Sequence, residues 1–234
     1  MLSRRVTTKI AFVFDELIPP LIRDTRWFMW LPFRVLFGKK SEPFFAFKDK
    51  AFEMSFEEFK GTYQDTESVH IQRETDLNEA CIARILDSLV GENVLEVGCG
   101  RVYLAEKMAA KTQVTACDMA VSPALRDKHK NIDLHEASIE DLPFPDNAFD
   151  TVVSTHTLEH VLDIVKAIAE LRRVTKKRLI IVVPKQRPYR YTFDLHLHFF
   201  PYKWSLLAFM AGAGYVQDIQ LLDGDWYYQE EHSE

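Results

Sequence analysis

Residues 94–100 read Val94-Leu95-Glu96-Val97-Gly98-Cys99-Gly100, and an isolated acid, Asp118, follows the next hydrophobic run. A short apolar strand that enters a two-glycine turn and then a helical stretch, Tyr103 to Ala110, leaves few folds open. The following run, Gln113–Cys117, reads as a second strand with a carboxylate at its end. This is the arrangement that lays a nucleotide-type ligand across the carboxyl ends of parallel strands. Glycines let the backbone approach the ligand, and the acid accepts from two ribose hydroxyls.

The details discriminate between nucleotides. A dinucleotide site expects Gly-x-Gly-x-x-Gly so that pyrophosphate can sit on the helix N-terminus. Here the sixth position is Tyr103, whose ring would meet the pyrophosphate, which disfavours a nicotinamide-dependent oxidoreductase. Glu96 adds a negative charge beside the turn, unsuited to phosphate and suited to a cation. The stretch Glu96-Val97-Gly98-Cys99-Gly100 resembles the first motif of the class I S-adenosylmethionine-dependent methyltransferases, whose cofactor has no phosphate and carries an ammonium and a sulfonium. Many members have a third glycine two residues later, where this chain has Val102.

A second stretch carries the same resemblance. Residues 137–150 hold an acidic pair, then Leu142-Pro143-Phe144, then Phe149-Asp150. This is similar to the type 11 group of these enzymes. The resemblance implies that Leu142 and Phe144 wall the adenine edge, that Ser138 accepts from the adenine amino group where an Asp usually stands, and that Ile139 offers its amide. With Glu96, Gly98, Cys99, Gly100, Asp118, Met119 and Thr155, these make the expected S-adenosyl-L-methionine site.

The hydrophobic pattern supports one α/β domain: a doubly wound, mostly parallel seven-stranded sheet of Rossmann-like methyltransferase type with an N-terminal helical and aromatic extension. The extension covers 1–74 and the cofactor-binding domain 75–234. The expected order is a helix over Asp76–Leu89, strand Asn93–Val97, helix Tyr103–Ala110 and strand Gln113–Cys117. A polar helix opened by Pro123 and strand Ile132–Glu136 follow. Next come strand Asp150–Ser154, helix Val161–Val174, strand Leu179–Val183, helix Lys203–Ala211 ending at Gly212 and Gly214, strand Val216–Leu222, and a hairpin through Asp223-Gly224 into Trp226–Gln229.

Composition bounds the partners. The net charge is −6, but residues 1–50 hold ten Lys/Arg against five Asp/Glu, so the remainder is strongly acidic. An acidic core argues against a nucleic-acid substrate. The three cysteines (Cys81, Cys99, Cys117) lack metal spacing and read as reduced thiols of a cytoplasmic protein. No cleavable signal peptide is expected. Residues 27–37, rich in Trp, Phe and Leu and flanked by Arg and Lys, are too short and interrupted to span a bilayer. They suit a membrane-peripheral element, a homodimer contact, or a cap packed on the domain. Tyr63 and His70 are candidate lid contacts, with ordinary packing as the alternative.

The candidate catalytic residues are two histidines. His156 follows strand four, whose end lies at the switch point where ligands bind. His196 matches the family's histidine ahead of the last helix, in a loop that faces the methyl acceptor. A neutral imidazole could take the acceptor's proton as methyl arrives; pinning of the loop is the structural alternative for His196 and His198. Metal is not expected. His156 and His160 have i, i+4 spacing, but Glu159 directly precedes the second histidine instead of following the first. Lys185, Arg187, Arg190 and Tyr191 make the His196 loop basic, fit either for an anionic acceptor or for solvation. The expected activity is methyl transfer to a small-molecule or lipid- or glycan-linked acceptor, with oxygen as first choice. A non-catalytic cofactor-binding scaffold and a membrane-peripheral enzyme acting on a polyprenyl or glycolipid intermediate are the rivals.

Overall fold

The computed structural model describes residues 10, 12–38, 41–67, 74–211 and 214–232. His70 and Gly212 lie outside them. The chain divides into two compact units: Met1–Arg73 with Gln186–Phe199, and Glu74–Lys185 with Phe200–Glu234.

In the first unit, a π-helical turn, Val13–Leu17, precedes α1 (Pro20–Arg23), α2 (Arg26–Phe37), α3 (Ser41–Lys50) and α4 (Phe56–Glu67). Its core is aromatic. Phe33 is fully buried and its ring meets those of Phe37, Phe44, Phe45 and Phe193. Phe193 also meets Phe14 edge-on, and Tyr191 meets Phe45. The segment 186–199 is thus part of this unit's core.

The second unit holds α5 (Glu79–Ser88), β1 (Asn93–Val97), α6 (Tyr103–Ala109), β2 (Gln113–Asp118), α7 (Pro123–Lys128), β3 (Asp133–Glu136), β4 (Phe149–Thr155), α8 (Ile164–Val174), β5 (Thr175–Pro184), α9 (Lys203–Met210), β6 (Val216–Leu222) and β7 (Asp225–Glu231). The strands form one sheet in the order β3-β2-β1-β4-β5-β7-β6. The pairs among β1 to β5 are parallel, and β7 runs antiparallel to both β5 and β6. Seven strands, mostly parallel and doubly wound, match the expectation.

The central strands are apolar on both faces, as burial under two helix layers requires. Successive residues supply opposite cores. Leu95, Val152 and Ile181 pack with α8 and α9, whereas Val94, Val153 and Ile180 pack with α5 and α6. Helix starts follow side-chain caps. Asn78 accepts from the Cys81 amide and Asp163 from the Lys166 amide, so α5 and α8 begin three residues later than hydrophobic spacing suggests. Strand β5 begins at Thr175, four residues before its apolar run. Two of the charged residues between are paired: Lys177 with Asp150 at 2.9 Å and Arg178 with Glu231 at 2.7 Å. Asp223 and Gly224 both have positive φ, the geometry of a tight hairpin turn between β6 and β7.

A buried ion cluster ties β7 to both α8 and α9. Arg172 donates to both carboxylate oxygens of fully buried Glu230 at 2.8 Å and to the Met210 carbonyl at 2.7 Å. Burial alone would raise the Glu230 carboxyl, but hydrogen bonds from Arg172, His232 and Tyr228 outweigh it and hold its pKa at about 2. Removing one partner of such a pair strands the other charge. Glu230→Ala is expected to cost about 3 kcal/mol in urea unfolding at neutral pH. Because the folded pKa lies below the unfolded one, this contribution is full above the unfolded carboxylate pKa and lost as pH falls towards 2. The gap between variant and wild type should close in acid.

Candidate functional site

The glycine turn is organised by one carbonyl. The amides of Gly98 and Cys99 both donate to Cys117 O, at 2.8 and 3.1 Å, which draws the end of β1 against the end of β2. Gly98 has φ +78, and a Cβ there would lie 2.0 Å from Thr157 Oγ1, so glycine is required on both counts. Above Gly100 the space is open. Val102 occupies the left-handed region with φ +66. The backbone at the missing third glycine therefore keeps a glycine-like conformation with a valine in it. The strain, about 1–2 kcal/mol, is offset by complete burial of the isopropyl group, which contributes a similar amount or more.

Asp118 Oδ2 accepts from the Gly100 amide at 2.9 Å and Oδ1 from the Ala120 amide at 3.2 Å. These bonds hold the carboxylate at the mouth of the turn, with Met119 half-buried beside it. The Ala137 amide donates to Asp118 O, bringing Ser138 and Ile139 to the same edge. Ser138 Oγ accepts from the Glu140 amide and Ile139 is buried. Thr155 ends β4, buried, with its carbonyl accepting from Thr157 Oγ1 at 3.0 Å. The structure thus brings Glu96, Gly98, Cys99, Gly100, Asp118, Met119, Ser138, Ile139 and Thr155 to the carboxyl ends of four adjacent parallel strands.

Glu96 is 2% exposed, and its Oε2 has no hydrogen-bond partner among the described residues. Burial raises its pKa, the Ala105 amide opposes this, and the Asp118 charge pushes it up again, to about 8. A buried carboxyl with an orphan oxygen beside a second carboxylate fits a cationic ligand and disfavours phosphate. The adjacent thiols are driven the same way by burial and negative neighbours: Cys117 to about 12, and Cys99 further. Both stay protonated, which disfavours nucleophilic cysteine chemistry.

The 137–150 loop is pinned by α8 residues that sequence patterns alone do not single out. Arg173 donates to the carbonyls of Leu142 and Phe144 and to Asp146, at 2.7–2.9 Å, and forks onto Glu170, which accepts from the Leu142 amide. Glu140 Oε1 accepts from the Leu162 and Asp163 amides. Leu142 is buried, and Phe144 stands edge-on to Phe149. An acid-plus-Arg pair spaced i, i+3 at a helix end is the available sequence signal, though it reads equally as surface charge.

His156 caps β4 with φ +50, its amide donating to Val182 O. Its ring lies between two carboxylates, Nδ1 3.4 Å from Glu159 and Nε2 3.4 Å from Asp225. Burial lowers the imidazole pKa, but Asp225 and Glu159 more than reverse this, to about 10. His156 is therefore held as a cation. Asp225 is itself fixed by Asn78 Nδ2 at 2.8 Å. Neither Asp225 nor Asn78 is singled out by the sequence patterns.

In the first unit, His196 is buried, with Nδ1 2.6 Å from Gln186 Oε1. Tyr63 donates to Leu195 O at 3.1 Å, next to it. Leu195 has φ +27, so the run through His198 is not a regular extended strand. The two arginines of this loop have carboxylate partners: Arg187 meets Glu16 at 3.0 Å and Arg190 meets Asp49 at 3.5 Å. Their charge is matched within the unit, which weakens the case for an anionic acceptor.

Comparison with known proteins agrees with this geometry. Residues 95–183 match the type 11 methyltransferase domain family. A protein of Mycolicibacterium smegmatis named as a probable S-adenosylmethionine-dependent methyltransferase is 29% identical over 120 residues, covering 50% of this chain and 46% of that one. The demethylmenaquinone methyltransferase of Listeria welshimeri is 35% identical over 97 residues, covering 37% and 41%. The chain thus spans less than half the length of these relatives. Among solved structures, the 1,6-didemethyltoxoflavin-N1-methyltransferase of Burkholderia thailandensis, crystallised with S-adenosylhomocysteine, superposes with a TM-score of 0.58 at 16% identity, covering 76% of this chain and 87% of that one. A methyltransferase of Aquifex aeolicus gives 0.52 at 18% identity, covering 76% and 98%. Those two likenesses speak for the fold. The glycine turn, the Asp118 carboxylate and the family match agree, and residues 95–183 are similar to the S-adenosylmethionine-dependent methyltransferases of type 11.

Proposed function

We propose that this protein transfers the methyl group of S-adenosyl-L-methionine to an oxygen of a small-molecule or lipid- or glycan-linked acceptor. The cofactor supplies a methyl on a sulfonium, open to in-line displacement. The chain's residues orient it: Asp118 takes the ribose hydroxyls, Glu96 faces the cationic part, and Ser138 and Ile139 meet the adenine. An oxygen acceptor must lose its proton as methyl arrives, and an imidazole in its neutral form can accept it. The observation that carries this reading is the contrast between the two histidines. His156 is held charged between two carboxylates and serves as a fixed cation. His196 is held by a neutral amide and takes the role of base. Relatives differ in acceptor: one is named for demethylmenaquinone, and one structural neighbour was solved with 1,6-didemethyltoxoflavin. That diversity supports a broad acceptor class.

The membrane-peripheral reading has its own support. In α2, Met29 and Phe33 face the core, while Trp27, Trp30, Leu31 and Val35 are 52–75% exposed along the opposite stripe. No helix among the described residues is long and apolar enough to cross a membrane. An apolar stripe with two tryptophans and flanking arginines suits the interface of a bilayer. Self-association through the same stripe is the competing use.

Three measurements test these assignments. Calorimetric affinity for S-adenosylmethionine should fall at least about tenfold in Asp118→Ala, which loses charge-assisted hydrogen bonds. Glu96 binds a cation only when ionised, so wild-type affinity should rise from pH 6 to 7.5, by up to about tenfold per unit, and stay flat in Glu96→Gln. That window lies below the range, about 7.7–8, in which an α-amino group titrates. Incubation with metabolite and lipid extracts, read by mass spectrometry, should give a product one methyl heavier, and His196→Ala should slow its formation about 100-fold or more with cofactor binding unchanged. Cofactor binding without any methylated product would favour the scaffold reading. In co-sedimentation, anionic phospholipid vesicles should retain the wild type and release Trp27→Ser/Leu31→Ser/Val35→Ser. Equal partitioning of the two proteins would turn attention to dimerisation.

A further inference from the structure

In the first unit a continuous run of contacts leads from a buried guanidinium to the candidate base. Arg23 is 2% exposed. Its Nη2 donates to Pro188 O at 2.8 Å, its Nη1 donates to Phe14 O at 3.3 Å, and its guanidinium lies 4.7 Å from the centroid of the Tyr189 ring. Lys48 Nζ donates to Tyr189 O, and Asp24 Oδ1 accepts from the Arg190 amide at 3.0 Å. Three side chains from α1, its C-terminal flank and α3 therefore hold residues 188–190. The Tyr189 hydroxyl accepts from Gln186 Nε2 at 3.1 Å, and Gln186 Oε1 lies 2.6 Å from His196 Nδ1. Gln186, Tyr189 and His196 are all buried.

An amide side chain has one end that donates and one that accepts. With Nε2 turned to the Tyr189 hydroxyl, only the oxygen is left to face the imidazole. A carbonyl oxygen can only accept, so the ring nitrogen opposite it must carry hydrogen. A separation of 2.6 Å is at the short limit of an N–H···O bond and shorter still for two facing nitrogens. In a neutral imidazole, a proton on Nδ1 puts the lone pair on Nε2. A base acts only through the nitrogen that bears the lone pair, and a buried histidine held in the wrong tautomer loses orders of magnitude in rate.

We propose that Gln186 is a positioning residue that keeps the proton of neutral His196 on Nδ1, its other end resting on the hydroxyl of Tyr189, which Arg23 and Lys48 anchor. This rests on the reading of His196 as the base and adds how its reactive nitrogen is chosen. The N-terminal helices thereby acquire a role, because they hold in place the tyrosine on which Gln186 rests.

The test is spectroscopic and needs no acceptor. Full-length protein labelled with 15N-histidine is observed by long-range proton–nitrogen correlation at the alkaline plateau of the ring's titration. The His196 signals are assigned by their loss in His196→Asn. The wild type should show a protonated Nδ1 and an unprotonated Nε2. Gln186→Glu keeps an oxygen acceptor and should preserve that pattern. Gln186→Leu removes it and should shift the ring towards the Nε2-protonated form. A wild-type His196 with its proton on Nε2, or a Gln186→Leu spectrum with the tautomer unchanged, would overturn the proposal. The wild-type spectrum decides even if the leucine variant fails to fold. Should the tautomer behave as expected while His196→Ala still methylates at the wild-type rate, the positioning by Gln186 stands and the assignment of His196 as base falls.

Discussion

Two backbone amides, those of Gly98 and Cys99, share the carbonyl of Cys117, and the cofactor site follows from that junction. It closes the end of β1 onto the end of β2. The turn then has one course: Gly98 must adopt positive φ against Thr157, the Gly100 amide points at Asp118, and Val102 must enter helix α6 from the left-handed region. A side chain at Gly98 would collide with Thr157, which hangs from the end of β4, so the register of three parallel strands is built into one residue. The strain at Val102 is tolerated because the same residue fills the core under α6.

Charge selects what this turn can accept. Glu96 and Asp118 lie close enough for each to raise the energy of the other's charge, and Glu96 is sealed from water. At the end of β4, Glu159 is also buried, and Asp225 joins it around the cation of His156. Carboxylates outnumber cations among these residues at the strand ends, so a phosphate there would meet repulsion, while a sulfonium and an ammonium relieve it. The glycine turn is shared with dinucleotide sites; the acidic setting separates this site from them.

The first unit has a different logic. Its core is built around residues 186–199, which the chain reaches only after completing five strands of the sheet. Phe193 and Tyr191 enter the aromatic cluster, and Arg23 directs its buried charge at the backbone of that loop. Ordering a long loop costs conformational entropy, and these contacts offset it. The outer stripe of α2 stays apolar after the inner one is satisfied, which marks that helix as having a second surface to cover.

Much of this was legible in the chain itself. Apolar runs for buried strands, the glycine turn, the acid 20 residues on and the Asp-Gly hairpin are local patterns, because backbone geometry and side-chain period act over a few residues. They determined the sheet, the order of its elements and the cofactor. Boundaries slipped where a cap or a cross-strand ion pair decided them, as at Asn78, Asp163 and Lys177. What only tertiary structure decided was the pairing of charges far apart in sequence. Arg23 with Pro188, Arg173 with the 142–146 loop, and Asp225 with His156 are chosen by where folding delivers each side chain. His156 and His196 look alike as letters. One lies between two carboxylates and the other against an amide oxygen, because an imidazole's surroundings are set by the groups packed against it and not by its neighbours in the chain.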